Sequence, residues 1–126
     1  MKRRVLAAVM ALTMGVMGTG VMAQASDKEP LKVALVYSGF LGDKSFNDLA
    51  HDGAQKAAED FGIEFQELES GEAADWEANF VAMADAGYDL VIGVSTQFLE
   101  IMKKHCPDYP DTKFAMIDGV CDAGDN

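Results

Sequence analysis

The chain has 126 residues, 49% of them hydrophobic, and a formal net charge of −11, which bounds it to one domain or less. After residue 25 there are seven Lys and no Arg against 21 acidic residues, a net charge of −14, so the surface repels nucleic acid and anionic lipid. The acidic residues are spread through amphipathic segments, as on a solvated surface, and no basic patch offers a nucleic-acid footprint.

Met1-Lys2-Arg3-Arg4 is a basic start, and the run from Val5 to Val21 is apolar, small and uncharged. It ends in two overlapping small-x-small sites, Val21-Met22-Ala23 and Ala23-Gln24-Ala25. The expectation is a secretory signal peptide over 1–25, cut after Ala25 with Ala23 as the alternative, and a mature part over 26–126. No Cys lies near that cut, so a lipid anchor on the new N-terminus is not expected. The protein is expected to be periplasmic or secreted.

Ser26 to Pro30 is a polar lead. Leu31 to Val36 is an apolar run interrupted by Lys32, which suits a strand buried on both faces of a parallel sheet. Ser38-Gly39-Phe40-Leu41-Gly42-Asp43-Lys44-Ser45-Phe46-Asn47 follows as a glycine-containing loop that opens a helix, the place where open α/β sheets bind ligands. Ser45 is the expected N-cap, with Asp48 completing a capping box. Phe46, Leu49, Ala50, Gly53, Ala54, Ala57, Ala58 and Phe61 recur at helical spacing, predicting an inner face that packs on the sheet. His51 falls off that stripe and is expected to face solvent. Gly62 is placed to stop the helix.

Ile63, Phe65 and Leu68 mark a second strand. A second helix is expected from about Asp75 to Ala86, with Trp76, Phe80, Val81, Met83 and Ala84 inward and Gly87 as its stop. The third strand is Leu90 to Val94. Ser95 or Thr96 caps a third helix carrying Phe98, Ile101 and Met102. After Pro107 and Pro110 the fourth strand runs from Lys113 to Ile117, ending at Asp118-Gly119. Alternating strands and helices with right-handed crossovers predict an α/β fold, an open parallel sheet in the order 2-1-3-4. The first strand would then be central and the fourth an edge.

Chemistry must sit where the strands end: Tyr37 to Asn47, Gly93 to Phe98, and Asp118 to Asp122. No Gly-x-Gly-x-x-Gly, no phosphate-binding Gly-x-x-x-x-Gly-Lys-Ser/Thr and no Gly-x-Ser-x-Gly elbow is present, so nucleotide and hydrolase chemistry lack their apparatus. His105-Cys106 and Cys121 match no zinc pattern, and the acidic tail does not fit a calcium loop. These residues describe a binding site without catalysis, metal or cofactor. Phe46 is either a stacking platform or the first core residue of its helix, and Asp118 either bonds a ligand or caps loop amides.

The runs Asp43-Lys44-Ser45-Phe46-Asn47, Gly87-Tyr88-Asp89-Leu90-Val91-Ile92-Gly93 and Pro110-Asp111-Thr112-Lys113-Phe114-Ala115-Met116-Ile117-Asp118-Gly119 resemble, in order and spacing, the basic membrane protein family. These are substrate-binding proteins of ABC transporters that include purine-nucleoside receptors. The resemblance covers nearly all of the chain after Leu31. It implies the N-terminal lobe of a type I periplasmic binding fold, truncated here, since the family has two lobes that close on ligand. It implies a monomeric, non-enzymatic solute-binding component of an ABC importer, meeting permease subunits in the plasma membrane. It also implies a cleft in which Phe46 stacks on a base, Asn47 bonds its edge and Asp118 bonds base or ribose, with Ser38, Asp43 and Gly93 in the surrounding strand-end segments. Ser38 stands where the family commonly has Asp, which weakens recognition of a ligand donor there. A sugar-binding protein of the same architecture, and more remotely a small secreted α/β enzyme, are the competing readings.

Cys106 and Cys121 are expected not to form a disulfide. Cys106 ends the third helix at one edge of the sheet and Cys121 follows the fourth strand at the other. Five strand residues put those edges roughly 16 Å apart, and a disulfide needs Cα atoms within about 7 Å.

Overall fold

A computed structural model describes residues 29–122. The stretch read as a signal peptide, residues 1–25, lies outside the described residues. Four parallel strands form one sheet in the order β2-β1-β3-β4: β1 (Lys32–Tyr37), β2 (Glu64–Glu69), β3 (Leu90–Val94) and β4 (Lys113–Ile117). Three helices make the crossovers: α1 (Phe46–Phe61), α2 (Ala73–Asp85) and α3 (Leu99–His105), the last entered through a 3₁₀ turn at Thr96–Phe98. The predicted strand order holds, with β1 in the middle and β4 at an edge.

Side-chain alternation assigns the faces. Ala34, Val36 and Val91 point to the side covered by α2 and α3, where Phe80, Phe98, Met102 and Cys106 close a sealed core. Phe80 stacks against Phe114 and tilts against Phe98, with ring centroids 5.5 and 5.8 Å apart. Val33, Leu35, Tyr37 and Val94 point to the opposite side, under Ala50 and Ala54 of α1. That is why β1 is buried from Val33 onward: both of its faces are covered.

The α1 stripe is only partly what its periodicity predicts. Phe46, Leu49 and Phe61 are exposed, because α1 crosses one flank of the sheet. A single helix cannot cover four strands, so an apolar groove of about 350 Å³ remains beside it, walled by Leu49, Gly53, Ala57, Leu90, Ile92 and Ile117. The residues of α1 that are buried are Asn47 and Ala54.

The helices stop where glycine permits. Gly62 is left-handed (φ 67°) and its N–H bonds to Ala58 O. After α2, Tyr88 N–H reaches Met83 O and Gly87 N–H reaches Ala84 O, with Gly87 at φ 74°, a Schellman closure. The helix itself spans Ala73–Asp85, two residues earlier than expected at its start, where Glu72 occupies the cap without a side-chain bond.

Candidate ligand-binding site

The parallel order places the segments after β1, β3 and β4 side by side at one end of the sheet. Ser38 Oγ donates to Val94 O at 3.3 Å, joining the end of β1 to the end of β3. Ser95 N–H bonds to Ile117 O at 3.2 Å, joining β3 to β4. Thr96 lies against Gly119, where an added Cβ would meet Met116 Cε at 2.5 Å and Thr96 Cγ2 at 3.4 Å.

The loop before α1 is organised by carboxylates. Asp43 accepts the N–H groups of Ser45 (2.8 Å), Asn47 (3.2 Å) and Asp48 (3.3 Å). The Ser45 bond holds its carboxyl below the usual range, opposed next by burial and reinforced by the bonds from Asn47 and Asp48. Asp48 turns back to accept Gly42 N–H at 2.6 Å and Lys44 N–H at 2.9 Å. The expected cap is thereby corrected: Ser45 makes no side-chain cap bond, and Asp43, two residues earlier, satisfies the helix start. An ionised carboxylate takes several N–H groups at once, which one hydroxyl cannot.

Asn47 is 8% exposed. Its Nδ2 donates to Phe40 O at 3.1 Å, so part of its amide secures the loop. Phe46, beside it, is 55% exposed and joins neither core cluster, so it is not the first core residue of its helix. Gly93 contributes room. A Cβ there would lie 2.7 Å from Phe98 Cβ and Cγ, so the bare Cα lets α3 approach β3. Asp118 is exposed at the end of β4 in a left-handed conformation, φ 66°.

That last feature is shared. The non-glycine residues with positive φ, among the described residues, are Lys44 (52°), Ser95 (118°) and Asp118 (66°). They sit in the three loops just described, one after each of β1, β3 and β4. Such conformations cost about 1–3 kcal/mol each and gather at functional sites. From the sequence Ser95 is a candidate helix cap within the strand-end segment Gly93 to Phe98; it does accept Gln97 N–H at 3.4 Å, but nothing in its neighbourhood announced the strain.

A second polar cluster lies beneath α1. His51, expected in solvent, contacts Glu67 of β2 through Nδ1 at 2.9 and 3.0 Å, and the Tyr37 hydroxyl donates to the same carboxylate. Burial first, and then Glu67, push the Tyr37 phenol far above its ordinary value. The described residues contain no cluster of His, Cys, Asp and Glu able to hold a metal and no helix long and apolar enough to cross a membrane.

Known proteins align with this arrangement. A family profile described as "ABC transporter substrate-binding protein PnrA-like" matches residues 30–126. Basic membrane protein A of Borreliella burgdorferi is 34% identical over 89 residues, 71% of this chain and 26% of that protein. A protein of Pyrococcus abyssi named as an uncharacterized lipoprotein is 30% identical over 114 residues, 89% of this chain and 28% of its own length. In three dimensions, an ABC transporter solute-binding protein from Aeropyrum pernix K1 superposes with TM-score 0.68 at 35% identity, over 73% of this chain and 25% of that one. One from Conexibacter woesei gives 0.61 at 28% identity, over 67% and 28%. The chain spans about a quarter of the length of these relatives.

Proposed function

The chain belongs to the PnrA-like substrate-binding family of ABC transporters, proteins that bind solutes outside the cytoplasm and are not enzymes, and from that premise we propose that it serves import of a nucleoside or a similar small polar compound. Its partners are the permease subunits of the transporter, and it acts as a monomer exported by residues 1–25. The Pyrococcus relative carries the name lipoprotein; the lack of a Cys near Ala25 favours a released form here.

The observation that supports the reading is that the segments at one end of the sheet carry an exposed aromatic, Phe46, and three strained non-glycine residues. In the proposed site the Phe46 ring stacks on a planar base, worth about 1–3 kcal/mol. Asn47 offers its amide oxygen to the base edge while its nitrogen holds Phe40 O. Asp118 accepts from ribose hydroxyls or a ring N–H. Ser38 Oγ spends its proton on Val94 O, so it acts toward ligand as a neutral acceptor. Asp43 and Gly93 serve indirectly, one by fixing the turn, the other by seating α3.

The test is an NMR titration of the 126-residue chain with adenosine, inosine, ribose and glucose, each to about 10 mM, a range that detects millimolar affinity. Nucleosides should shift residues 38–47, 93–98 and 118–119, and ribose alone should not. Shifts at those positions with the sugars but not the nucleosides would replace this reading with a sugar-binding one.

A further inference from the structure

The cluster of Tyr37, Glu67 and His51 lies outside the proposed ligand contacts, yet it adjoins carboxylates, Glu69 and Asp48, that bond the loop before α1. Tyr37 ends β1 and is fully buried; its hydroxyl donates to Glu67 Oε1. His51 Nδ1 meets both oxygens of the same carboxylate, at 2.9 and 3.0 Å. The side chains of His51 and Glu67 are 28% and 19% exposed, and the imidazole also sets its edge against the Phe65 ring, centroids 6.5 Å apart. His51 follows Asn47 by four residues, so the two share one face of α1, one turn apart. A single carboxylate thus ties the first two turns of α1 to both β1 and β2.

We propose that Tyr37, Glu67 and His51 form a protonation-sensitive latch that positions the first turn of α1, and with it Asn47 and the loop from Phe40 to Ser45, in the ligand site. The proposal rests on reading that turn as the site. All three are positioning residues; none touches ligand.

The surroundings favour a charged imidazole. The ionisable groups facing the cluster are Glu67 and Glu69 from β2, Tyr37 from β1, and Asp48 and Asp52 from α1 itself. Two of these carboxylates also hold the ligand loop: Glu69 accepts Leu41 N–H at 3.1 Å and Asp48 accepts Gly42 and Lys44 N–H. An imidazolium among them offsets their mutual repulsion. The hydrogen bond to Glu67 raises the His51 pKa, with the nearby carboxylates adding to it and burial opposing it. A raised folded-state value means that the latch is fully engaged below the ordinary imidazole value of about 6.5, and that its charge contribution is lost as pH rises through the raised one. Above that, a neutral ring leaves Glu67, Glu69 and Asp48 crowded beneath the loop.

The experiment needs no ligand, so its failure is separable from failure of the nucleoside reading. NMR follows the His51 ring, the Asn47 side-chain amide and the Gly42 and Lys44 backbone amides of the 126-residue chain from about pH 5.5 to 9, a window spanning the imidazole range. His105→Gln identifies the other imidazole. The amides should move with the His51 midpoint. Glu67→Gln should lower that midpoint toward the ordinary value, and His51→Gln should leave the amides without a transition in this window. Amides that stay still while the ring titrates would overturn the latch, as would amides whose transition survives in His51→Gln. Should His51→Gln fail to fold, the native chain and Glu67→Gln decide alone.

Discussion

The two ends of the sheet solve the same problem differently. Where chain enters β2 and β3, the left-handed positions are glycines, Gly62 and Gly87, which adopt that conformation without strain. Where chain leaves β1, β3 and β4, left-handed or otherwise positive φ falls on Lys44, Ser95 and Asp118, with Gly42 the exception. One end is built for stability. The other holds its backbone in costly shapes, anchored by Asp43, Asp48 and Glu69, and it carries the proposed ligand contacts. The difference teaches where to look for function: at the end where stability is given up.

The sharpest challenge to that contrast is Gly93, a glycine at the strained end with no positive φ. Its reason is packing, so Gly93→Ala should cost about 2–3 kcal/mol by overpacking against Phe98 and Met102, read as a fall in the urea midpoint. A cost near zero would mean that α3 is free to shift.

Next is Ser95→Gly. At φ 118° and ψ 158° the backbone lies where essentially only glycine rests, so the substitution should raise stability by about 1–2 kcal/mol, seen as a higher thermal midpoint. Its counterpart at the other end, Gly62→Ala, should lower stability by about 1 kcal/mol. Opposite signs at the two ends sharpen the comparison; equal signs break it.

The smallest effect is on pH dependence. Hydrogen bonds from Lys104 first and then His105 lower the Glu77 pKa, so its contribution is present at neutral pH and is lost as pH falls through that lowered value. Glu77 ties α2 to Lys104 and His105 of α3, on the sheet face opposite α1. Glu77→Gln should therefore flatten the acid limb of the unfolding profile, followed by circular dichroism, without altering the loop amides.

Cysteine chemistry separates the ends less well than expected. The two are not bridged, but the reason is not simply the breadth of the sheet. Cys121 packs against the same core cluster that contains Cys106, with its Sγ 4.0 Å from Leu99 O, so the tail folds back over α3. Burial, with a smaller effect of Cys121, pushes the Cys106 thiol up to about 11, which keeps it protonated and slow to react.

β3 and β4 were legible to the residue because each is an apolar run bounded by turn residues. β2 was harder: Glu64, Glu67 and Glu69 interrupt its pattern, since an edge strand tolerates charge. The α1 stripe misled because Leu49 and Phe61 obey the helical period yet face the groove or solvent, and periodicity reports a helix face without saying what covers it. The loop's place between β1 and α1 was readable from the apolar run before it and the helical period after it. Its anchor was not, because Ser45 and Asp43 both suit a helix start and only geometry chooses. The His51–Glu67 contact depends on how α1 lies across β2, which no local pattern encodes.

The central claim is that strained backbone at the strand ends preorganises a ligand site. Lys44→Gly combined with Ser95→Gly leaves every proposed ligand side chain in place and removes two of the three strained non-glycine positions. The variant should melt about 5–10 °C higher, and nucleoside binding by NMR titration should weaken about fivefold, because the relaxed loops must be ordered on binding. A higher melting temperature with unchanged binding would contradict the claim, as would a melting temperature that does not rise.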